Sequence, residues 1–302
     1  MRPVFARRSR EFAVFTLAVA AFALAGCETS TSGAPAPVTE LVTTTPSVTT
    51  TTSVAPTTTR PTTTTPKPTT TKPKPTTATA AAGPAGHGQV IVLDPGHNGG
   101  NASHPREINA QVPAGRGQEK ACNTTGTATN AGYSEHAFNW DIAGRVRADL
   151  VAKGYKVILT RPNDTGVGPC VNVRAEIGNN ADAAAVVSIH GDGNTAAGAH
   201  GFHVEYSNPP LNAEQGAPST TLASTLRNAV RAAGFTTSNY LGSNGLFGRA
   251  DLGGLNLSDR PTVLIECGNM RDASDAAMMT SSAGRQKLAN AIATGIEDYV
   301  GK

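Results

Sequence analysis

From residue 88 onward, short apolar runs alternate with longer amphipathic stretches. Val90-Ile91-Val92-Leu93 reads as a buried strand over 89–94. A stretch rich in Gly, Asn and Thr follows to residue 132. A helix is predicted over 134–153, because Phe138, Ile142, Val146 and Leu150 recur every four residues and Ser134 can cap its start. Strands are predicted over 155–160, 184–190, 201–206 and 262–266, and helices over 170–179, 219–233 and 281–299. An irregular Gly-rich stretch lies between 234 and 261. Strands alternating with helices point to the α/β class. The expectation is a single three-layer domain, with a mostly parallel twisted sheet flanked by helices.

The first third of the chain breaks this pattern. Residues 41–80 hold 20 Thr, 7 Pro and no acid, so this stretch has almost nothing to bury and is expected to stay disordered. Residues 28–87 then form a Thr/Pro-rich linker that reaches about 180 Å at ~3.1 Å per residue. It reads as a tether for the domain at 88–302, with Lys67, Lys72, Lys74 and Arg60 serving either to hold it near an anionic polymer or for solubility alone. Ahead of it, Arg2, Arg7, Arg8 and Arg10 precede an apolar run over 12–25, too short for a membrane-spanning helix, which needs about 20 residues. The run ends in Leu24-Ala25-Gly26-Cys27, which looks like a bacterial lipobox. Residues 1–27 are therefore expected to be a lipoprotein-type signal peptide, with lipidation at Cys27 placing the protein on the outer side of a bacterial membrane. A net charge of +3 without a basic run gives nucleic-acid binding no electrostatic support.

Candidate chemistry falls at the ends of the predicted strands. His97 follows the first strand, His190 ends the third, and Glu266 ends the last. In open parallel sheets, active sites lie outside the carboxyl ends of the strands. Glu135, in the first turn of the helix returning from the first strand, belongs on the same side. Two His and one carboxylate with an open position form the ligand set of a hydrolytic zinc site. Glu266 would then act on bound water rather than complete the ligand set. A carboxylate beside the buried run Val263-Leu264-Ile265 must be paired or useful. His136 points about 100° away from Glu135 on the helix. His200 and His203 pack or touch substrate, and His87 and His104 read as linker and loop residues.

The motifs Val92-Leu93-Asp94-Pro95-Gly96-His97, Ser134-Glu135-His136, Ser188-Ile189-His190 and Leu264-Ile265-Glu266 together resemble the zinc-dependent N-acetylmuramoyl-L-alanine amidases, over essentially all of 90–300. The resemblance implies one Zn2+ per chain, held by His97, Glu135 and His190, with Glu266 as the catalytic base. It implies hydrolysis of the amide joining N-acetylmuramic acid to L-alanine in peptidoglycan or muropeptides. The chain departs from the family in a longer stretch at 101–132 and in Gly191, where Ala is usual. The alternatives are a non-catalytic wall-binding or regulatory module on the same fold, and a zinc peptidase acting within the stem peptide.

Of the three cysteines left after Cys27, Cys267 follows a buried strand, while Cys122 and Cys170 lie in loop-like sequence. In an oxidising envelope a Cys122–Cys170 disulfide is expected. It would contribute about 4 kcal/mol in the chain-entropy account, and it would pin the 101–132 insertion beside the metal as a lid. Arg249 and Asn269 are candidate substrate contacts, with a surface pair between Arg249 and Asp251 as the competing role for Arg249. The catalytic head is expected to act as a monomer, with any protein activator unspecified.

Overall fold

The computed structural model describes residues 88–301. The signal segment with Cys27, the linker over 28–87 and His87 lie outside the described residues. Eight strands and seven helices follow in chain order: β1 (Val90–Pro95), α1 (Pro105–Ile108), β2 (Gln111–Pro113), β3 (Glu119–Ala121), α2 (Glu135–Ala152), β4 (Lys156–Leu159), α3 (Val171–Asn180), β5 (Ala185–Asp192), β6 (His203–Ser207), α4 (Ala217–Ala232), β7 (Leu246–Arg249), α5 (Gly253–Asn256), β8 (Thr262–Asn269), α6 (Ala273–Thr280) and α7 (Ser282–Val300). Six strands form one sheet in the order β4-β1-β5-β8-β6-β7. Neighbours run parallel except at β6–β8, where the pairing is antiparallel. The expected mostly parallel α/β architecture is the one observed.

Each strand splits its residues between two faces, as the two-residue period of a pleat requires. Ile91, Leu93, Val187, Ile189, Val263, Ile265 and Cys267 join the main core. That core is completed by stripes from three helices: Phe138, Ile142, Val146 and Leu150 of α2, Leu222, Leu226 and Val230 of α4, and Leu288, Ile292 and Ile296 of α7. Here the four-residue spacing read from the sequence marks the buried face. The opposite face is only partly apolar. Near the amino ends of the strands, Val92 and Val186 pack with Ala183 and Ile177 under α3. Toward the carboxyl ends polar residues stand in cross-strand rows. One row runs Asp94, Ser188 and Glu205, interrupted by Leu264, and the next runs His190, Glu266, His203.

The chain leaves β1 by α2 to β4 on one side, then returns through α3 to β5 on the other side of β1. This reversal makes the β1–β5 boundary a switch point, where a crevice opens outside the carboxyl ends. His97 and His190 meet there. Near the opposite end of β1, the Gln89 amide donates to the Val300 carbonyl at 3.3 Å, so the first described residues lie beside the end of α7. Among the described residues no helix is long and apolar enough to cross a membrane.

Several local features differ from the sequence reading. Ser134 takes the N-cap position of α2, but its side chain makes no capping bond. The Gly-rich stretch before β8 contains an edge strand and a short helix, β7 and α5. The last strand continues past Glu266 to Asn269, and the β5–β8 register shifts between His190 and Asp192. The 101–132 insertion carries α1 and the β2–β3 hairpin, and its contacts hold it in place. Cys122 is joined to Cys170 with the Cα atoms 4.4 Å apart. At the hairpin tip, Arg116 donates to Asn256 Oδ1 at 3.0 Å, to Ser207 Oγ at 3.1 Å, and to the Pro209 carbonyl. Asn256 returns a bond to the Ala114 carbonyl at 3.0 Å.

Candidate metal centre

The metal-side turn Asp94-Pro95-Gly96-His97 is held by two buried arginines that the sequence reading did not single out. Arg174 of α3 donates to Asp94 Oδ1 at 2.8 Å, to the Pro95 carbonyl at 2.9 Å and to the His97 carbonyl at 2.9 Å. Arg161, just past β4, donates to the same Pro95 carbonyl at 2.8 Å and to Asp164 at 2.9 Å. Trp140 covers the Arg161 guanidinium at 5.0 Å. Burial draws the Arg161 pKa down to about 10, so the group stays charged at neutral pH. These bonds support an unusual backbone. His97 sits at φ +59°, a left-handed conformation uncommon for non-glycine residues. A sequence shows an arginine's position along a helix but not which carbonyls its fork will reach. The position of Arg174 one turn into α3 was therefore not a usable signal.

Burial alone would raise the Asp94 pKa. The Arg174 guanidinium and the hydroxyls of Thr160 and Ser188 outweigh it and hold the carboxyl at about 2. A folded-state pKa below the unfolded value stabilises the fold above the unfolded pKa, and that stability is lost as pH falls through the folded value. In the metal-free protein this carboxylate is expected to contribute about 2 kcal/mol at neutral pH, lost between about pH 4 and pH 2. Urea unfolding across that window checks it, since Asp94→Asn should flatten the acid slope.

His97 and His190 both face Glu135, the first residue of α2. His97 Nε2 and His190 Nδ1 each lie 3.0 Å from Glu135 Oε1. The two imidazole rings meet edge to face with centroids 4.9 Å apart. The ligand atoms of all three residues fall within 4.8 Å of one another. The outer bonds leave these atoms free to bind. His97 Nδ1 lies 3.0 Å from the Thr124 carbonyl, which places the proton there and leaves Nε2 a lone pair. Glu135 Oε2 accepts from the Thr127 amide at 2.8 Å. Thr124 and Thr127 belong to the 101–132 insertion, so that segment helps build the site. Burial works against charge on both His97 and Glu135. Even so, their mutual attraction raises the His97 pKa and holds Glu135 well below the usual carboxylate range. The donor set is two imidazoles and one ionised carboxylate converging on one point, and it fits zinc with a position left open.

Gly96 is needed at close quarters. A Cβ placed there would lie 2.2 Å from His190 Cε1. Gly96→Ala is expected to push the His190 ring aside and weaken zinc binding about tenfold to a hundredfold with the fold retained, measurable by metal analysis alongside circular dichroism. Gly191 also has a packing reason. A Cβ there would meet Met279 Cε at 2.6 Å and Met270 at 3.2 Å, so the glycine lets both methionines close against β5.

Glu266 faces the same crevice, one strand over from His190. Burial, reinforced by the carboxylates of Glu135, Glu205 and Asp192, pushes its pKa well above the ordinary range. Its Oε2 is buried without a hydrogen-bond partner. The crevice has a volume of about 430 Å³ and continues from the metal residues along the polar sheet face, past Glu266 and Leu264, to Glu205 and Arg249. Arg249 is tied up there. It donates to Asp251 at 2.9 and 2.7 Å and to Glu205 at 3.0 Å. Asn269 is buried and donates to the Asn194 and Ala199 carbonyls at 2.8 and 2.7 Å. Of the other histidines, His136 bonds Asp164 at 2.8 Å, away from the metal residues, while His104 and His200 bond nearby carbonyls. His203 is fully buried on the polar face beside Glu266.

Comparison with known proteins agrees with this geometry. The family described as N-acetylmuramoyl-L-alanine amidase matches residues 91–298. The chain is 47% identical over 224 residues to the N-acetylmuramoyl-L-alanine amidase Rv3717 of Mycobacterium tuberculosis, covering 74% of this chain and 91% of that protein. The apo crystal structure of the N-acetylmuramyl-L-alanine amidase Ami1 from Mycobacterium abscessus is 52% identical, with a TM-score of 0.68 over 71% of this chain and 99% of that one. Ami1 from Mycobacterium smegmatis is 47% identical, with a TM-score of 0.69 over 72% and 99% of the two chains. The matched span contains β1, α2, β5 and β8, the four elements that bring His97, Glu135, His190 and Glu266 together, and the chain belongs to the N-acetylmuramoyl-L-alanine amidase family.

Proposed function

We propose that this chain hydrolyses the amide between N-acetylmuramic acid and the L-alanine of the peptidoglycan stem peptide, with one zinc ion held by His97, Glu135 and His190. The observation that carries this reading is the convergence of those three residues at the β1–β5 switch point, with Glu266 beside them. When bound, a zinc ion supplies Lewis-acid polarisation of the scissile carbonyl and acidifies water at the site. Glu266 accepts the proton of the attacking water on its carboxylate and then delivers it to the nitrogen of the leaving alanine. The elevated proton affinity of this buried carboxyl suits both transfers. Arg174 and Arg161 fix the backbone that aims His97, and Thr124 and Thr127 fix the protonated and bonded sides of His97 and Glu135.

The exported, lipid-anchored location belongs to the same reading and is supported by the basic and apolar segments ahead of Cys27. Metabolic labelling with a clickable fatty acid, lost in Cys27→Ala, tests it. Mass analysis of digested peptidoglycan tests the reaction. Peptides with a free N-terminal L-alanine should appear, and a chelator should abolish them. Cleavage between stem-peptide residues instead would make the protein a peptidase, and intact substrate with zinc bound would make it a binding module.

A further inference from the structure

Of the buried polar side-chain atoms without a hydrogen-bond partner among the described residues, four belong to one trio: both ring nitrogens of His203, Glu205 Oε2 and Glu266 Oε2. A fully buried imidazole with neither nitrogen bonded is costly in a folded protein. His203 is 0% exposed. The edges and faces of Tyr240 and Phe247 confine its ring, with centroids 6.0 and 6.3 Å away. Its Nε2 lies 3.3 Å from Glu205 Oε1, too poorly aligned to count as a hydrogen bond. Glu205 is buried too, and Arg249 fixes it at 3.0 Å.

The sheet register places this imidazole. His203 of β6 is the antiparallel partner of Glu266 of β8. Directly opposed residues in such a pair have Cβ atoms about 4.5–5.5 Å apart on one face. Every other carboxylate near the metal residues has a partner. Glu135 has the two metal histidines, Asp192 accepts from the Tyr240 hydroxyl at 2.7 Å, and Glu205 has Arg249. Glu205 Oε2 and Glu266 Oε2 both stay buried without a donor, but Glu205 has Arg249 on its Oε1, whereas Glu266 faces a residue that keeps a donor without an acceptor.

We propose that His203 is a positioning residue for the base: an N–H of its ring, directly or through one water, holds Glu266 Oε2 so that Oε1 stays turned toward the attacking water. Tyr240 and Phe247 confine the ring, and Glu205, held by Arg249, lies beside it at 3.3 Å. Arg249 thus acts within the wall of the crevice, through Glu205. The inference rests on Glu266 being the base. It adds that the base needs a fixed orientation, supplied by a residue that touches neither zinc nor substrate.

The test compares His203→Leu with His203→Asn and His203→Gln, which place an amide where Nδ1 or Nε2 stands. Zinc content, thermal midpoint, kcat and KM are measured for each. A donor to a charged group accounts for about tenfold to a hundredfold, so His203→Leu is expected to lower kcat by that factor. KM and the single bound zinc should stay unchanged, and the thermal midpoint of the metal-free protein should hold or rise as an unsatisfied buried polar ring is removed. One of the two amide variants should recover most of kcat. Unchanged kcat in His203→Leu would overturn the proposal, as would a loss of kcat that follows lost zinc or lost stability in all three variants. If Glu266→Gln proves fully active, the assignment of the base fails. If Glu266→Gln is inactive while His203→Leu is normal, only the positioning role fails.

Discussion

Glu266→Gln is expected to bind one zinc per chain, as the parent does, and to turn over substrate between about a hundredfold and ten-thousandfold more slowly. The amide keeps the shape and size of the carboxyl, so Gly191 and the two methionines beneath β5 have no cause to move. None of the three residues that converge on the metal position is altered. In the proposed mechanism, the substitution removes the group that takes a proton from water and returns it to the leaving amine. Removing a carboxylate from a crevice already holding Glu135, Glu205 and Asp192 also relieves repulsion, so the variant should be at least as stable as the parent. Low turnover with full zinc and an unchanged or higher thermal midpoint separates a lost base from a damaged fold. Metal analysis, calorimetry and peptide release measured on one preparation make that separation.

Arg174→Met should be the most damaging single change outside the ligands. Four bonds run from this guanidinium: to the Pro169, Pro95 and His97 carbonyls and to the Asp94 carboxylate. Methionine fills part of the volume and satisfies none of them. Removing one partner of a buried ion pair costs about 3–5 kcal/mol, because the remaining charge stays buried without compensation. Asp94 keeps the Thr160 and Ser188 hydroxyls, which moderates the loss. The His97 carbonyl keeps none of its support, so the left-handed residue should relax and zinc affinity should fall at least tenfold. Urea midpoints with and without zinc should show both effects. Arg174→Lys should rescue little, since an ammonium is a point donor and the site uses a planar fork.

The sequence made the outline and the candidate metal residues visible for one physical reason. Strand ends, helix starts and buried stripes are periodic, and periodicity survives in one dimension. His97, Glu135, His190 and Glu266 were readable because each sits where an apolar period stops. Cys122 and Cys170 were readable by their flanks. Arg161 and Arg174 were not, because their role lies in backbone carbonyls contributed by a turn 65 or more positions away, and nothing local marks that reach. The insertion's Gly, Asn and Thr content gives no sign of the order it has. Its order comes from long-range bonds made by Arg116, Asn256 and the disulfide, which composition does not encode. The edge strand β7 is four residues long and interrupted by Gly248, below what alternation can reveal. The opposition of His203 and Glu266 depends on an antiparallel register between residues more than sixty positions apart in the chain.

The bond from Gln89 to Val300 has a mechanical consequence. It ties the point where the preceding chain joins to the amino end of β1, whereas the crevice opens beyond the carboxyl end of the same strand. Six residues of strand separate the two, a span of about 20 Å. A pull on the chain ahead of residue 88 therefore acts at the pole opposite the metal residues. The backbone at Gln89 and its bond to Val300 meet such a pull first, at the end of β1 away from the crevice.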